Sequence, residues 1–287
     1  MTEEVVIKTE DLWYAYAPDI VALKGIDLEI RKDEIIALIG QNGGGKTTLA
    51  KHFNGLLKPT KGRVLVKGID TRDKPANELS TIVGYVFQNP MDQIFSKTVF
   101  EEVAFGPKNI GLSDKEVKER TEEALEKVGL LEYSNVHPLD LDFGKLKLLT
   151  IASIISLKPE IYCLDEPTTG QDHVGRRRVA ELVKKLNEEE EATVIVITHD
   201  MNFVAEVAER VILMADGKIL ADGPVREIFQ QIEILRKAQI KPPQVTLLFN
   251  ELHSYGLPKG VIKLGEAAEI LGDFLKKKTH KTGPTYI

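Results

Sequence analysis

Gly40-Gln41-Asn42-Gly43-Gly44-Gly45-Lys46-Thr47-Thr48 directly follows the apolar run Ile35-Ile36-Ala37-Leu38-Ile39 and leads into the helix-like Leu49-Ala50-Lys51-His52-Phe53. The stretch fits G-x-x-x-x-G-K-[ST] at Gly40, Gly45, Lys46 and Thr47, in the strand, loop, helix setting that the motif requires. Glycines at 40, 43, 44 and 45 allow positive φ and let consecutive backbone N–H groups converge on an anion. The helix that follows aims the positive end of its dipole at the same place. Lys46 can reach the β and γ phosphates, and the Thr47 hydroxyl is placed to ligate Mg²⁺. A nucleoside triphosphate is the expected ligand of residues 40–48.

A second apolar run, Ile161-Tyr162-Cys163-Leu164, delivers Asp165 and Glu166 at its carboxyl end, where open α/β sheets place ligands. Asp165 is expected to hold Mg²⁺ through water, and Glu166 to polarise an attacking water as general base. Two adjacent carboxylates ending a buried strand are costly without a cation partner. That favours a metal-linked role over a solvated turn.

The remaining patterns organise the chain around these two segments. Residues 5–16 and 26–30 read as strands, the second alternating Ile26, Leu28 and Ile30 with Asp27 and Glu29. Residues 63–68 and 82–87 supply further strands, the latter ending at Gln88. Ser113 and Glu116 form a capping box ahead of a helix that stacks Val117, Thr121, Ala124, Leu125 and Val128 on one face and stops at Gly129. A second helix is expected from about 144 to 157, so about 90–157 reads as a mainly helical insertion. Residues 161–164 and 194–197 are continuous apolar runs of the kind found in a parallel sheet covered on both faces. Between them a helix capped by Asp172 turns Val179, Leu182, Val183 and Leu186 inward, completing a βαβ unit. Residues 211–220 form a hairpin around Asp216-Gly217. Lys241-Pro242-Pro243 marks a boundary before a small helical segment, and the polar residues 276–287 are expected to fray.

Composition narrows the class. The 287 residues hold one large domain and a small appendage, and 43% hydrophobic with 29% charged residues is an ordinary soluble, globular balance. The longest apolar stretch, near 148–157, is interrupted by Thr150, Ser153 and Ser156 and falls short of the roughly 20 residues that span a bilayer. Glu3 and Glu4 stand where a secretory leader needs positive charge, which points to an intracellular protein. A net charge of -6 argues against a broad nucleic-acid surface. Cys163 sits in a buried strand pattern, so packing outweighs thiol chemistry. The six histidines show no pair at metal-ligand spacing.

Taken together, the loop at 40–47, Gln88 at a strand end, Leu164-Asp165-Glu166-Pro167-Thr168-Thr169-Gly170-Gln171-Asp172 and Thr198-His199-Asp200 resemble the ATPase subunits of ABC transporters over about residues 5–225. The resemblance implies an α/β fold: a P-loop NTPase core with a parallel sheet, an antiparallel β subdomain, a helical subdomain and a small C-terminal helical extension. The ATP-binding domain would span 1–240, and 241–287 would serve dimerisation. ATP and Mg²⁺ are the implied cofactors. By the same resemblance Tyr16 stacks on adenine, Gln88 links Mg²⁺ to a membrane partner, Gly170-Gln171-Asp172 couples the two sites of a dimer with Gln171 where leucine is usual, and His199 contacts the γ-phosphate. Peripheral attachment at the cytoplasmic face of the cell membrane follows.

In that family each ATP lies between one subunit's phosphate loop and the other's signature, usually L-S-G-G-Q. The matching segment here, Leu141-Asp142-Phe143-Gly144-Lys145, puts Asp142 where a serine would bond the γ-phosphate and Phe143 where a glycine allows close approach. An extra negative charge about 4 Å from a phosphate oxygen costs up to about 4 kcal/mol at an effective dielectric of 20, before Mg²⁺, Lys46 and Lys145 offset it. A weak site completed on a partner fits a heterodimer with an ATPase of regular signature; a homodimer in which Gly144 suffices is the other arrangement. The stretches Gln88-Asn89-Pro90-Met91-Asp92-Gln93-Ile94-Phe95 and Val99-Phe100-Glu101-Glu102-Val103-Ala104-Phe105-Gly106-Pro107, with the tail Lys241-Pro242-Pro243-Gln244-Val245-Thr246, resemble energy-coupling factor importers, including the cobalt and nickel type. There a transmembrane coupling protein is gripped by the ATPase, and a separate membrane protein binds the micronutrient, a metal ion or a vitamin. A conventional ABC ATPase and a mainly ATP-binding regulatory subunit are the alternative readings.

Overall fold

Period-two alternation at the start of the chain builds a long antiparallel ribbon from β1 (Val5–Ala17) and β2 (Ile20–Arg31), in which Thr9 faces Leu28 and Leu12 faces Ile26. The structure, a computed structural model, describes residues 4–279. β2 begins at Ile20 rather than Ile26, because Val21 and Leu23 continue the pairing opposite Ala15 and Tyr14. β3 (Ile35–Gly40) is buried at every position and runs through the loop into α1 (Lys46–Phe53). β4 (Lys61–Val66) and β5 (Ile69–Asp70) complete the antiparallel sheet in the order β2-β1-β4-β5.

The short α2 (Ala76–Leu79) carries the chain out of the antiparallel sheet to β6 (Val83–Val86), which is the edge of a second one. The helical insertion follows as α3 (Val99–Asn109), α4 (Asp114–Val128) and α5 (Phe143–Ile155). Both halves of the Ser113–Glu116 capping box form, and Gly129 ends α4 in the left-handed region. α5 starts at Phe143 because the Asp142 carboxylate caps it, accepting the Lys145 N–H.

β7 (Ile161–Asp165), α6 (His173–Glu188) and β8 (Thr193–Ile197) form the expected βαβ unit, with Leu164 beside Val196 in parallel register. α7 (Met201–Val207) precedes the hairpin of β9 (Arg210–Ala215) and β10 (Lys218–Pro224). The second sheet has the order β10-β9-β3-β8-β7-β6 and is parallel except for β10. The carboxyl ends of β3, β8, β7 and β6 therefore stand side by side.

Both faces of that sheet are covered. On one, Leu149 and Ile151 of α5 and Val179 and Val183 of α6 pack with Val194 and Val196. On the other, Ile36, Leu38, Cys163 and Ile195 meet Leu49 and Phe53 of α1 and Leu12, Leu23 and Val64 of the antiparallel sheet. α1 is thereby clamped between the sheets, which fixes the phosphate loop ahead of it. Burial also pushes the Cys163 thiol well above its ordinary pKa, in keeping with a packing role.

After α8 (Val225–Gln230) and α9 (Ile232–Lys237), the chain passes through buried Pro242 and Pro243 into α10 (Gln244–Leu252) and α11 (Leu264–Thr279). Phe249, Leu257, Val261 and Ala267 form a small core of their own. Arg226 of α8 ties it to the main body by donating to the Gly260 carbonyl and the Glu266 carboxylate. Of the end expected to fray, residues 276–279 finish α11, and 280–287 lie outside the described residues.

Leu149 is 0% exposed against this sheet, so Leu149→Ala is expected to lower unfolding free energy by about 3 kcal/mol in a urea titration. A loss below about 1 kcal/mol contradicts the packing described.

Candidate nucleotide-binding site

Gly40 ends β3 so close to β9 that a Cβ there would stand 1.9 Å from the Met214 carbonyl oxygen. Only glycine lets the chain turn away from the sheet at that point. Positive φ occurs at Gly40, Gly43 and Gly45; Gly44 keeps a negative φ and is instead pressed between the Gln41 and Met214 carbonyls, contrary to the uniform reading of the glycines. The β9–β10 turn braces the loop: Gln41 Nε2 donates to Asp216 Oδ1 at 3.1 Å and the Gly217 N–H donates to Gly44 O at 3.2 Å. Asn42 and Gly43 are exposed at the loop tip.

Lys46 is buried and its ammonium donates to the carbonyls of Gly40 and Gln41 at 2.8 and 2.9 Å. Burial pulls its pKa below the ordinary lysine value, while Glu166 and Asp165 act the other way. Thr47 Oγ1 donates to Asp165 Oδ2 at 2.8 Å, joining the phosphate loop directly to the end of β7. The two halves of the site, distant in sequence, are thus adjacent. Tyr85 of β6, which the sequence reading passed over, donates its hydroxyl to the same oxygen at 2.9 Å.

Glu166 follows with φ 49°, a left-handed conformation that costs a non-glycine residue of order 1 kcal/mol. It is 7% exposed. Thr198 donates to its Oε2 at 3.1 Å and His199 Nδ1 lies 2.8 Å from its Oε1. Thr198 is a second residue whose role was missed, although it stands in the quoted Thr198-His199-Asp200. Asp200 caps α7 and pairs with Arg176 at 3.4 Å.

Tyr16 and Thr48 meet through their hydroxyls at 3.1 Å. The Tyr16 ring is 56% exposed and stands edge-on to Tyr14, which is edge-on to His52 of α1. Tyr16 is thus held beside the loop with more than half of its surface exposed, which suits an aromatic that stacks on a base. The Gln88 side chain is exposed beyond β6, and it is its carbonyl that is held, by Lys147. Lys147 is the third omission; a lone lysine among Leu146, Leu148 and Leu149 was the available signal.

The signature segment makes its contacts elsewhere. Phe143 covers Gly170, where a Cβ would come within 2.4 Å of its ring, and Gln171 Nε2 donates to Gly144 O at 2.7 Å. Asp142 pairs with Lys145, which holds its carboxyl below the usual carboxylate range.

The oxygens of Thr47 and Asp165 are hard donors of the kind that suit Mg²⁺, and burial holds the Asp165 carboxyl above the usual range against the hydrogen bonds from Thr47 and Tyr85. A buried carboxylate penalised in this way is one that a cation relieves. Among the described residues no helix is long and apolar enough to cross a membrane.

Residues 23–169 match the ABC transporter family. An energy-coupling factor transporter ATP-binding protein of Caldanaerobacter subterraneus is 46% identical over 87% of this chain and 91% of its own length. One from Methanocaldococcus jannaschii is 42% identical over 95% and 99%. A longer Caldanaerobacter protein, named as an ABC transporter ATP-binding protein, is 48% identical, but the chain spans 44% of its length. Among solved structures, a Clostridium perfringens protein that is part of the ABC transporter complex cbiONQ superposes with a TM-score of 0.73 at 34% identity, covering 89% of this chain and 100% of that one. A dimeric ATP-binding cassette in a post-hydrolysis state with ADP and Pi gives 0.70 at 30% identity, over 76% and 98%.

A carboxyl group with a raised folded-state pKa contributes stability below its unfolded pKa and loses it as pH rises through the folded value. Asp165 is raised in this way, so at neutral pH its charge costs stability. Asp165→Asn is expected to melt no lower than wild type without nucleotide in calorimetry, and to gain less from Mg²⁺ with ATP. A variant that melts well below wild type yet keeps the full nucleotide gain contradicts this.

Proposed function

The chain belongs to the ABC transporter ATP-binding family and is an ABC-type ATPase of the energy-coupling factor group; on that premise we propose that it powers import of a micronutrient, a transition-metal ion such as cobalt or nickel, or a vitamin. The observation that carries the reading is the 2.8 Å bond from Thr47 to Asp165, which sets the phosphate loop against two carboxylates at a strand end.

Each residue then has a task. The loop from Gly40 to Gly45 cradles the phosphates, Lys46 and Thr48 serve them, and Tyr16 holds the base. Thr47 and Asp165 would hold Mg²⁺, with Gln88 close by at the next strand end; when bound, the ion neutralises charge on the β and γ oxygens. Glu166, oriented by Thr198 and His199, takes a proton from the water that attacks the γ-phosphorus as ADP leaves. Positioning matters more than covalent chemistry in such a transfer.

The chain acts with a second ATPase subunit. The segment Asp142-Phe143-Gly144-Lys145 carries a carboxylate, engaged in the cap of α5 and paired with Lys145, where the usual signature has a hydroxyl, and this departure favours a heterodimer whose other member bears a regular signature. α10 and α11 are proposed to help join the subunits, where Leu264 is 80% exposed. A transmembrane coupling protein docks on the apolar cavity of about 370 Å³ lined by Leu56, Phe87, Phe105, Ile110 and Ile154. Phe105 lines it and is itself exposed, and the exposed Phe95 meets the Phe105 ring edge-to-face at 4.7 Å, while Ile94 packs on the core. The chain would sit peripherally on the cytoplasmic face, with cargo choice left to a separate membrane protein.

Glu166→Gln in the purified complex is expected to cut kcat by about 100-fold or more while ATP affinity holds; an unchanged rate favours a regulatory, ATP-binding subunit instead. Asp142→Ser combined with Phe143→Gly keeps a capping residue on α5 and is expected to raise turnover by about tenfold as the charge is removed. No rise, or a fully active homodimer by native mass measurement, overturns the asymmetric assembly.

A further inference from the structure

Lys147, on α5 just past the signature segment, is 0% exposed. Its ammonium donates to the carbonyls of Phe87 at 2.7 Å, Gln88 at 3.0 Å and Asp165 at 2.7 Å. Three N–H donors are all that an ammonium has, and each is spent on the main chain of a strand end, two beyond β6 and one on β7. A second clasp lies along the same helix: Gln93 Nε2 donates to Thr150 O and Ser153 Oγ, and its Oε1 accepts the Phe87 N–H. The segment from Phe87 to Phe95, which borders the docking cavity, is thereby fastened to α5 at two points. α5 itself is bound through Gly144 to Gln171.

We propose that Lys147 is a positioning residue that makes α5, the Gln88 segment and the Asp165 strand end move as one body, so that docking at the apolar cavity sets the rate of ATP hydrolysis. A methionine would fill the same space, so packing alone does not call for the charge. Sliding α5 relative to either strand end would strand a buried ammonium without its carbonyls, which is far more costly than losing an apolar contact. Movement at the cavity is therefore passed to Asp165 rather than absorbed between them. The inference rests on the transporter reading above.

The test uses the assembled complex, with and without its membrane partner. Lys147→Met is expected to lower kcat by about 10-fold to 100-fold, to leave KM for ATP within about threefold, and to abolish stimulation by the membrane partner. Lys147→Arg, whose planar fork cannot aim three donors from one nitrogen, is expected to fall between methionine and wild type. A Lys147→Met complex with normal kcat and stimulation overturns the proposal, as does one in which kcat and ATP affinity fall together. Should the methionine variant fail to fold, Lys147→Arg decides: weakened stimulation at unchanged ATP affinity supports coupling, and wild-type stimulation refutes it. Absence of ATP turnover in the wild-type complex instead overturns the transporter reading and this inference with it.

Discussion

The hydrogen bond from Thr47 to Asp165 is the constraint on which the rest of the site depends. It spans two residues far apart in sequence and requires that β3 and β7, separated by β8, end at the same level of the sheet. The parallel register of Ile35 with Val194 and of Ile161 with Thr193 delivers that alignment. α1, clamped between two sheets, then has one direction in which to leave the loop. The fold can be understood as the apparatus that holds one hydroxyl against one carboxylate.

Around that bond lies an unusual concentration of buried charge. Lys46, Lys147, Asp165 and Glu166 are each less than a tenth exposed, and desolvation is the first influence on Lys46, Lys147 and Asp165, pulling Lys147 down to about 8. Every one of the four is bonded to the protein, the lysines to carbonyls and the carboxylates to hydroxyls or an imidazole. Such groups are tolerated when paired and costly when orphaned. The arrangement therefore resists distortion, because moving any one of these groups would strand it without its partners. Stability is given up where function needs it, an expected place for such strain.

Much of this was legible in the chain because the signals are local. The phosphate loop, the apolar strands before it and before Asp165, the capping box at Ser113 and the turn at Asp216-Gly217 each depend on neighbours in sequence, and each appears where the residues put it. What escaped depends on distant partners. β2 starts at Ile20 because β1 is there to pair with it, and β6 joins the parallel sheet only because β7 is its neighbour. Tyr85, Thr198 and Lys147 are ordinary residues in their own segments; their importance comes from the carboxylates and carbonyls that the topology brings to them. The departure of the signature from its usual form was visible in sequence, but not that Phe143 rests on Gly170 and that Gln171 holds Gly144. Those contacts make the altered residues parts of one surface rather than separate losses.

The most direct test is a crystal structure of the full chain with Mg²⁺ and a non-hydrolysable ATP analogue. The account predicts the triphosphate lying on the amides ahead of Lys46, the cation bound between the Thr47 hydroxyl and Asp165, and the base against Tyr16. Nucleotide seated away from residues 40–48, or a cation bound with no approach to Asp165, would contradict it.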